Sequence, residues 1–249
     1  MLTVVRLIGF STAVHRKLTL GFDGTARIDH STVARNTSRF NAGGIVYNGT
    51  LILTNSTIAD NSGDFGGIQQ EQPRSALIVT NTTFSGNFVV GLHLEAGAAV
   101  LINTTFSRNG QGLANDTGQV ILVNTILASN GQDCNSRPGP FTSLGNNLIG
   151  DPTGCTITGR PSDLTGDPGL DAFTDNGTPG NGHFPLLPTS QAIDAGNNAV
   201  CPRTDQLGQR RIGPCDIGAI RFLDKDDRRH HQEDDQHDAD PAAATQAAQ

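Results

Sequence analysis

An eleven-residue block, Leu-Ile-Leu-Thr-Asn-Ser-Thr-Ile-Ala-Asp-Asn from Leu51 to Asn61, constrains this chain more than any other feature. It recurs degenerately five times. Aligned on the residue that ends the first apolar run, the copies place His30, Asn55, Asn81, Asn103 and Asn124 in one column. Three residues on, the column is apolar (Val33, Ile58, Phe84, Phe106, Leu127), and three further it reads Asn36, Asn61, Asn87, Asn109 and Asn130. Successive copies lie 25, 26, 22 and 21 residues apart, yet the offsets inside the block hold. Variation is confined to the stretches between blocks, as stacked turns joined by loops of unequal length require.

Inside each copy the side chains alternate as in a strand. Leu51, Leu53 and Asn55 share one face, as do Leu77, Val79 and Asn81, then Ala99, Leu101 and Asn103, then Val120, Leu122 and Asn124. A third apolar position, Ile45, Ile68, Leu92 and Leu113, follows glycine, as in Gly43-Gly44-Ile45 and Gly66-Gly67-Ile68. Three short strands per turn of about 23 residues, each donating one inward row and lacking a 3.6-residue period, predict an all-β parallel β-helix. An unpartnered buried amide costs about 1–3 kcal/mol. The column His30, Asn55, Asn81, Asn103, Asn124 is therefore expected to form a buried ladder in which each amide bonds its neighbour, with His30 ending the row. The second column, Asn36 to Asn130, accompanies it. Seven asparagines (Asn36, Asn48, Asn55, Asn81, Asn103, Asn115, Asn176) open N-x-[ST] sequons. Those at ladder positions are expected to point inward, a by-product of the repeat.

The repeats resemble those of right-handed β-helix proteins on bacterial surfaces. The Gly-Gly-Ile units, with Phe84-Ser85-Gly86-Asn87 and Phe106-Ser107-Arg108-Asn109, are similar to the repeats of polymorphic outer-membrane proteins. The chain beyond the repeats is similar, in order, to the carboxy-terminal region of the choice-of-anchor Q family: Asp133-Cys134, Ser143 to Asp151, Gly154-Cys155, Asp167-Pro168-Gly169-Leu170, Asp175-Asn176-Gly177, Ala192 to Gly196, Cys201-Pro202, Asp205-Gln206-Leu207-Gly208 and Cys215 to Ala219. The resemblance covers residues 26 to about 222. It implies a right-handed coil, export, and homologues that end in varied surface-anchoring or secretion signals. The expected organisation is a leading segment or partial rung at 1–25, repeats at 26–131, an irregular disulfide-bearing region at 132–222 and a disordered charged tail at 223–249. That tail departs from the family pattern, with no hydrophobic anchor or sorting motif. Its His230, His231 and His237 sit among acids, a composition that suits a solvated segment before a metal site.

Charge narrows the partners. The net charge is -7, and Asp224 to Asp240 holds eight acids and three bases, so the remaining body carries only -2. No basic stripe marks a nucleic-acid surface, and no stretch is long enough to span a bilayer as a helix. The four cysteines, Cys134, Cys155, Cys201 and Cys215, include no C-x-x-C pair and point to disulfides and an oxidising compartment. Three pairings are open. Proximity favours Cys134–Cys155 and Cys201–Cys215, each contributing about 3 kcal/mol in the chain-entropy model. Met1 to Val14 is interrupted by Arg6 and offers no cleavage site, so either a signal is lost upstream, the preferred reading, or the cysteines are not disulfide-bonded.

Chemistry is sparse. Asp29-His30 resembles the Ile-Asp-His of pectate lyases but lacks the downstream Arg-x-Pro-x-x-Arg element. A glycosidase needs two carboxylates across a groove; Asp60 and Asp64 are near in sequence but sit in a turn, and Asp60 is expected to meet Arg35 of the preceding rung. Gly182-His183-Phe184 is no Gly-His-Gly element. Asp163, Asp167, Asp171, Asp175 and Asn176 offer oxygen ligands to calcium but lack EF-hand spacing. Asp205 to Arg211 reads as a structural turn beside the last disulfide. No catalytic, cofactor or metal residue is assigned. The expected function is an exported, non-catalytic scaffold or adhesin-like module that binds carbohydrate or surface partners. A polysaccharide lyase or hydrolase is the alternative, and a structural fragment of a longer surface protein the second.

Overall fold

The computed structural model describes residues 4–8, 11–12 and 18–224, with side chains from residue 24 onward. The tail beyond Asp224, with its three histidines, lies outside the described residues. Seventeen strands and no helix are found among them: β1 Val4–Ile8, β2 Ser11–Thr12, β3 Leu18–Asp29, β4 Thr32–Ala34, β5 Ile45–Ala59, β6 Ile68–Gln70, β7 Ala76–Ser85, β8 Val90–Leu94 and β9 Ala98–Ser107. The series continues with β10 Gln111–Asn115, β11 Gln119–Val123, β12 Ile126–Leu127, β13 Gln132–Ser136, β14 Phe141–Ser143, β15 Leu148–Ile149, β16 Ile157–Thr158 and β17 Leu164–Thr165. Every strand pairing is parallel and joins one turn to the next, giving a solenoid of about six turns. The leading strand β1 pairs with the second half of β3, so a rung precedes the first block. At the other end β13 to β17 carry the coil past Gly131.

Three parallel sheets form the walls. The first holds the start of β5 with β6, β8, β10 and β13; the second the middle of β5 with β7, β9, β11 and β14; the third the ends of β5, β7 and β9 with β12 and β15. Register stacks like on like. Leu51, Leu77, Ala99, Val120 and Phe141 form one inward row, and Ile58, Phe84, Phe106 and Leu127 another. Phe84 and Phe106 stack with centroids 4.3 Å apart. All are buried, and each one larger than Ala99 contributes roughly 1.5–3 kcal/mol by leaving water.

The continuous ladder lies in the second asparagine column, not the first. Nδ2 of Asn36, Asn61, Asn87 and Asn109 donates to Oδ1 of the residue one rung on, at 3.1, 3.0, 2.8 and 2.9 Å. The backbone N–H of each donor residue bonds the same oxygen. The second Nδ2 hydrogen of Asn61, Asn87 and Asn109 reaches a main-chain carbonyl one rung back, of Val33, Ile58 and Phe84. Asn130 ends the row on Asp133 Oδ1 at 2.9 Å. A carboxylate only accepts, so it closes a column of donors without needing a further partner. Glycine makes the room: a Cβ on Gly44, Gly67, Gly91 or Gly112 would sit 2.4, 2.3, 2.8 or 2.5 Å from a carbonyl oxygen of the next rung and against the ladder amide. That accounts for the glycine before each first-sheet apolar residue.

The first column plays another part. His30, Asn55, Asn81, Asn103 and Asn124 all have positive φ, from 43° to 51°, and form the sharp corner between the second and third sheets. Asparagine tolerates that conformation better than most residues. Its amides pair only locally: Asn81 donates to Asn55 at 3.1 Å and Asn124 to Asn103 at 3.0 Å, while Asn103 turns to the carbonyls of Asp216 and Gly218. His30 is half exposed. The expected inward row is therefore broken at Asn103, where an outer segment displaces the neighbour.

That outer segment, residues 166–222, runs as a strap over the third sheet. Gly180 N donates to Thr32 Oγ1 (2.8 Å), Thr57 Oγ1 to Gly182 O (2.8 Å), Thr83 Oγ1 to Gln206 Oε1 (2.6 Å) and Ala219 N to Thr105 Oγ1 (3.0 Å). Leu186, Ala192 and Ile217 cover Ile126, Ala128 and Leu148 in a second apolar cluster. Both favoured disulfides are present, Cys134–Cys155 at the end of the coil and Cys201–Cys215 within the strap.

Candidate functional site

Covering the third sheet leaves the outer face of the first sheet as the place where polar and aromatic groups gather. Period-two alternation turns Ile68 and Leu92 inward and therefore Gln69 and His93 outward. Gln69 Oε1 accepts from Ala42 N at 3.0 Å, and its Nε2 donates to Glu95 Oε1 at 2.7 Å. His93 Nε2 lies 3.2 Å from Asp116 Oδ1, though misaligned for a hydrogen bond. The Phe65 ring stacks on the imidazole at 4.4 Å, and His93 is only 2% exposed. Phe65 belongs to a loop that packs between those carrying Phe40 and Phe88: a Cβ on Gly63 would meet Asn41 O and one on Gly66 would meet Val90. Phe40 and Phe88 stand 68% and 75% exposed. Three successive loops thus edge one face with phenylalanine.

None of Gln69, His93, Glu95, Asp116 or these phenylalanines stands out in the sequence. His93 shares no motif with a partner, because Asp116 is a rung away and only the stacking of β8 on β10 joins them. The available signal is the alternation itself, which marks each residue after an inward first-sheet position as outward.

The candidate residues marked by sequence are mostly engaged in holding the coil. Asp29 Oδ1 accepts from Thr54 Oγ1 (2.7 Å) and Asn55 Nδ2 (3.0 Å) and lies 3.0 Å from His30 Nδ1. Burial opposes ionisation there, but the bonds from Thr54, His30 and Asn55 outweigh it and hold the carboxyl below its ordinary value. Asp60 feels the charges of Arg35 and Asp175, with burial the larger effect, and its carboxyl is pushed up. No Arg35–Asp60 ion pair closes among the described residues. His183 is buried against Asn181 O at 2.5 Å. The five calcium candidates are dispersed: Asp163 accepts from Asn147 and Ser143, and Asp167, Asp171 and Asp175 each cap their own turn. No three such side chains converge among the described residues. Of the sequon asparagines, Asn36, Asn81, Asn103 and Asn115 are buried, whereas Asn176 is exposed.

Within the strap, Asp205 Oδ1 accepts from Leu207 N and Gln209 N and its Oδ2 from Arg221 N. Asp216 likewise binds Asp194 N and Phe222 N. Burial pushes both carboxyls up and lowers the Arg211 guanidinium lying between their charges. A cleft of about 300 Å³ beside them is lined by Ile193, Asp194, Arg211, Asp216 and Phe222. These groups bond the strap's own backbone. The turn from Asp205 to Arg211 lies inside the loop that Cys201–Cys215 closes.

The sequence profile of the family described as "Right handed beta helix region" matches residues 11–127. With the stacked parallel sheets, it makes the fold a right-handed β-solenoid. No curated protein and no solved structure matches the chain.

Proposed function

We propose that this chain is an exported, non-catalytic surface module that binds carbohydrate along the outer face of its first sheet. One observation carries the reading. Exposed Phe40 and Phe88 flank Phe65 on stacked loops, and Phe65 stacks on His93, beside the carboxylate of Asp116 and two residues from that of Glu95. An aromatic face takes the apolar side of a sugar ring while carboxylates bind its hydroxyls, the combination of apolar surface and a few placed polar groups that small-ligand sites share. Two disulfides support an oxidising compartment. The choice-of-anchor Q resemblance supports attachment at a surface. No helix among the described residues is long and apolar enough to cross a membrane.

A second reading, a polysaccharide lyase or hydrolase, is favoured by the His93–Asp116 pair on the same face. One experiment separates the two. Titrate the protein with a panel of neutral and acidic polysaccharides by calorimetry, and track unsaturated product and new reducing ends in the same samples. Binding without turnover, weakened in a Phe40→Ala/Phe88→Ala double variant, supports the binding module. Turnover lost on His93→Ala supports the enzyme, and neither binding nor turnover removes both.

A further inference from the structure

We infer that Asn176 is a site of spontaneous covalent modification, deamidating to isoaspartate and aspartate ahead of every other asparagine–glycine pair described. The sequence holds five such pairs, beginning at Asn48, Asn109, Asn130, Asn176 and Asn181. They share a chemistry and differ in surroundings, so the fold sets their order.

At Asn176 the reacting groups are brought together in the open. The residue lies at the exposed tip of a hairpin closed by two bonds between Thr174 and His183, both 2.9 Å. Its side-chain Oδ1 accepts from Thr178 N at 2.9 Å. That bond folds the side chain back over the Asn176–Gly177 peptide, whose Gly177 N is the nucleophile. It also polarises the amide carbonyl and faces the oxygen on which negative charge develops. Gly177 N–H itself donates to Asp175 Oδ1 at 2.9 Å, so a base already holds the proton that must leave. Gly177 has φ 83° and no atom within 4 Å of where a Cβ would be, so nothing crowds the approach.

The step balances without a co-reactant other than water. Gly177 N gives its proton to the Asp175 carboxylate and bonds Asn176 Cγ. The Cγ–Nδ2 bond breaks, Nδ2 departs as ammonia with that proton, and a succinimide remains. Water then opens the ring on either side, yielding isoaspartate or aspartate and a new negative charge. That charge arises beside Asp175, whose field already reaches Asp60 on the coil.

The other pairs are held apart from this path. Asn109 and Asn130 are ladder members, and the nucleophiles beside them, Gly110 N and Gly131 N, donate to Asn87 O and Asn109 O at 3.0 and 2.9 Å. Gly49 N is bound to Ser75 Oγ at 3.1 Å. Asn181 Oδ1 is turned to Asn176 N at 3.3 Å, and Gly182 is buried.

The test is timed peptide mapping by mass spectrometry on the folded protein at mildly alkaline pH and physiological temperature. A mass increase of about one unit is expected first in the peptide bearing Asn176, split into isoaspartyl and aspartyl forms, with Asn109 and Asn130 unchanged. In denaturant the rates at the five sites should converge. Gly177→Ala should slow the reaction at Asn176 about tenfold, the factor that 1.4 kcal/mol of barrier represents. Conversion at any other pair ahead of Asn176 overturns the inference, as does an unchanged rate in Gly177→Ala.

Discussion

A single residue type serves two unlike purposes in this coil, and its chemistry separates them. Ladder asparagines are valued for an amide that donates one rung on and one rung back while accepting twice. Corner asparagines are valued for a backbone that accepts positive φ. Asn87→Leu strips Asn61 of the acceptor for both its N–H and its Nδ2, and with about 1–3 kcal/mol per orphaned group should cost about 2–6 kcal/mol. Asn55→Leu keeps the ladder and should cost less, mainly through the strained corner. Urea midpoints compare them directly, and equal shifts would argue that the second column is not the structural one. The sequence shows both columns but not which is which, because the sign of φ leaves no mark in a spacing pattern.

Protonation is read at the same scale. Burial raises the Asp205 and Asp216 carboxyls, so the folded chain keeps protons that the unfolded chain has released. Their contribution to stability is full below the ordinary carboxylate value and is lost as pH rises through the raised values. Asp29 has the opposite sign: its lowered carboxyl adds stability above the ordinary value, lost as pH falls through its own. Stability should therefore increase as pH falls from above the raised values toward the ordinary carboxylate value, and then decline. Thermal midpoints across pH check the shape, and Asp205→Asn should flatten that rise.

Among elements, the strap converts a third-sheet surface of threonines into an interior. Gln206 is its central peg: Nε2 donates to Gly180 O, Gly182 O and Thr57 Oγ1, and Oε1 accepts from Thr83. Gln206→Leu fits the space but orphans the Gly180 carbonyl and the Thr83 hydroxyl, while Gly182 O keeps Thr57 Oγ1, and should cost about 1–3 kcal/mol. Gln206→Glu restores only the acceptor side and should cost at least as much. Amide exchange should then quicken around Thr57 and Thr83 but not in the first sheet, and unchanged exchange would separate the peg from strap stability. The block pattern makes the rungs legible, since stacking repeats identical offsets. It does not place the strap, whose partners lie up to 149 residues away and obey no period. The first-sheet face escapes for a related reason: His93 and Asp116 are neighbours only through β8 on β10, and Phe65 meets His93 only through its loop.

A solenoid whose turns touch only their neighbours has a stability close to a sum over rungs, and such arrays lose cooperativity as they lengthen. This molecule adds contacts that span the stack. Gly180 meets Thr32 near one end, Gln206 meets Thr57 and Thr83, Ala219 meets Thr105, and Asn197 meets Asn124 toward the other. One segment therefore bonds four or more rungs at once, and fraying any of them loosens its grip on the rest. Cys201–Cys215 closes the loop that sets the two halves of this grip, with Cys215 packed within 3.6 Å of the Asn103 amide. Replacing both cysteines by serine should destabilise the chain by about 2–4 kcal/mol, and the shape of the transition is the more telling readout. With the disulfide, calorimetry should give one transition whose van't Hoff and calorimetric enthalpies agree. Without it, the transition should broaden and the van't Hoff value fall below the calorimetric one, with exchange fastest in the terminal rungs. A lower midpoint with agreeing enthalpies would mean that the coil is cooperative by its core rows alone, and that the strap adds stability without binding the rungs into one unit.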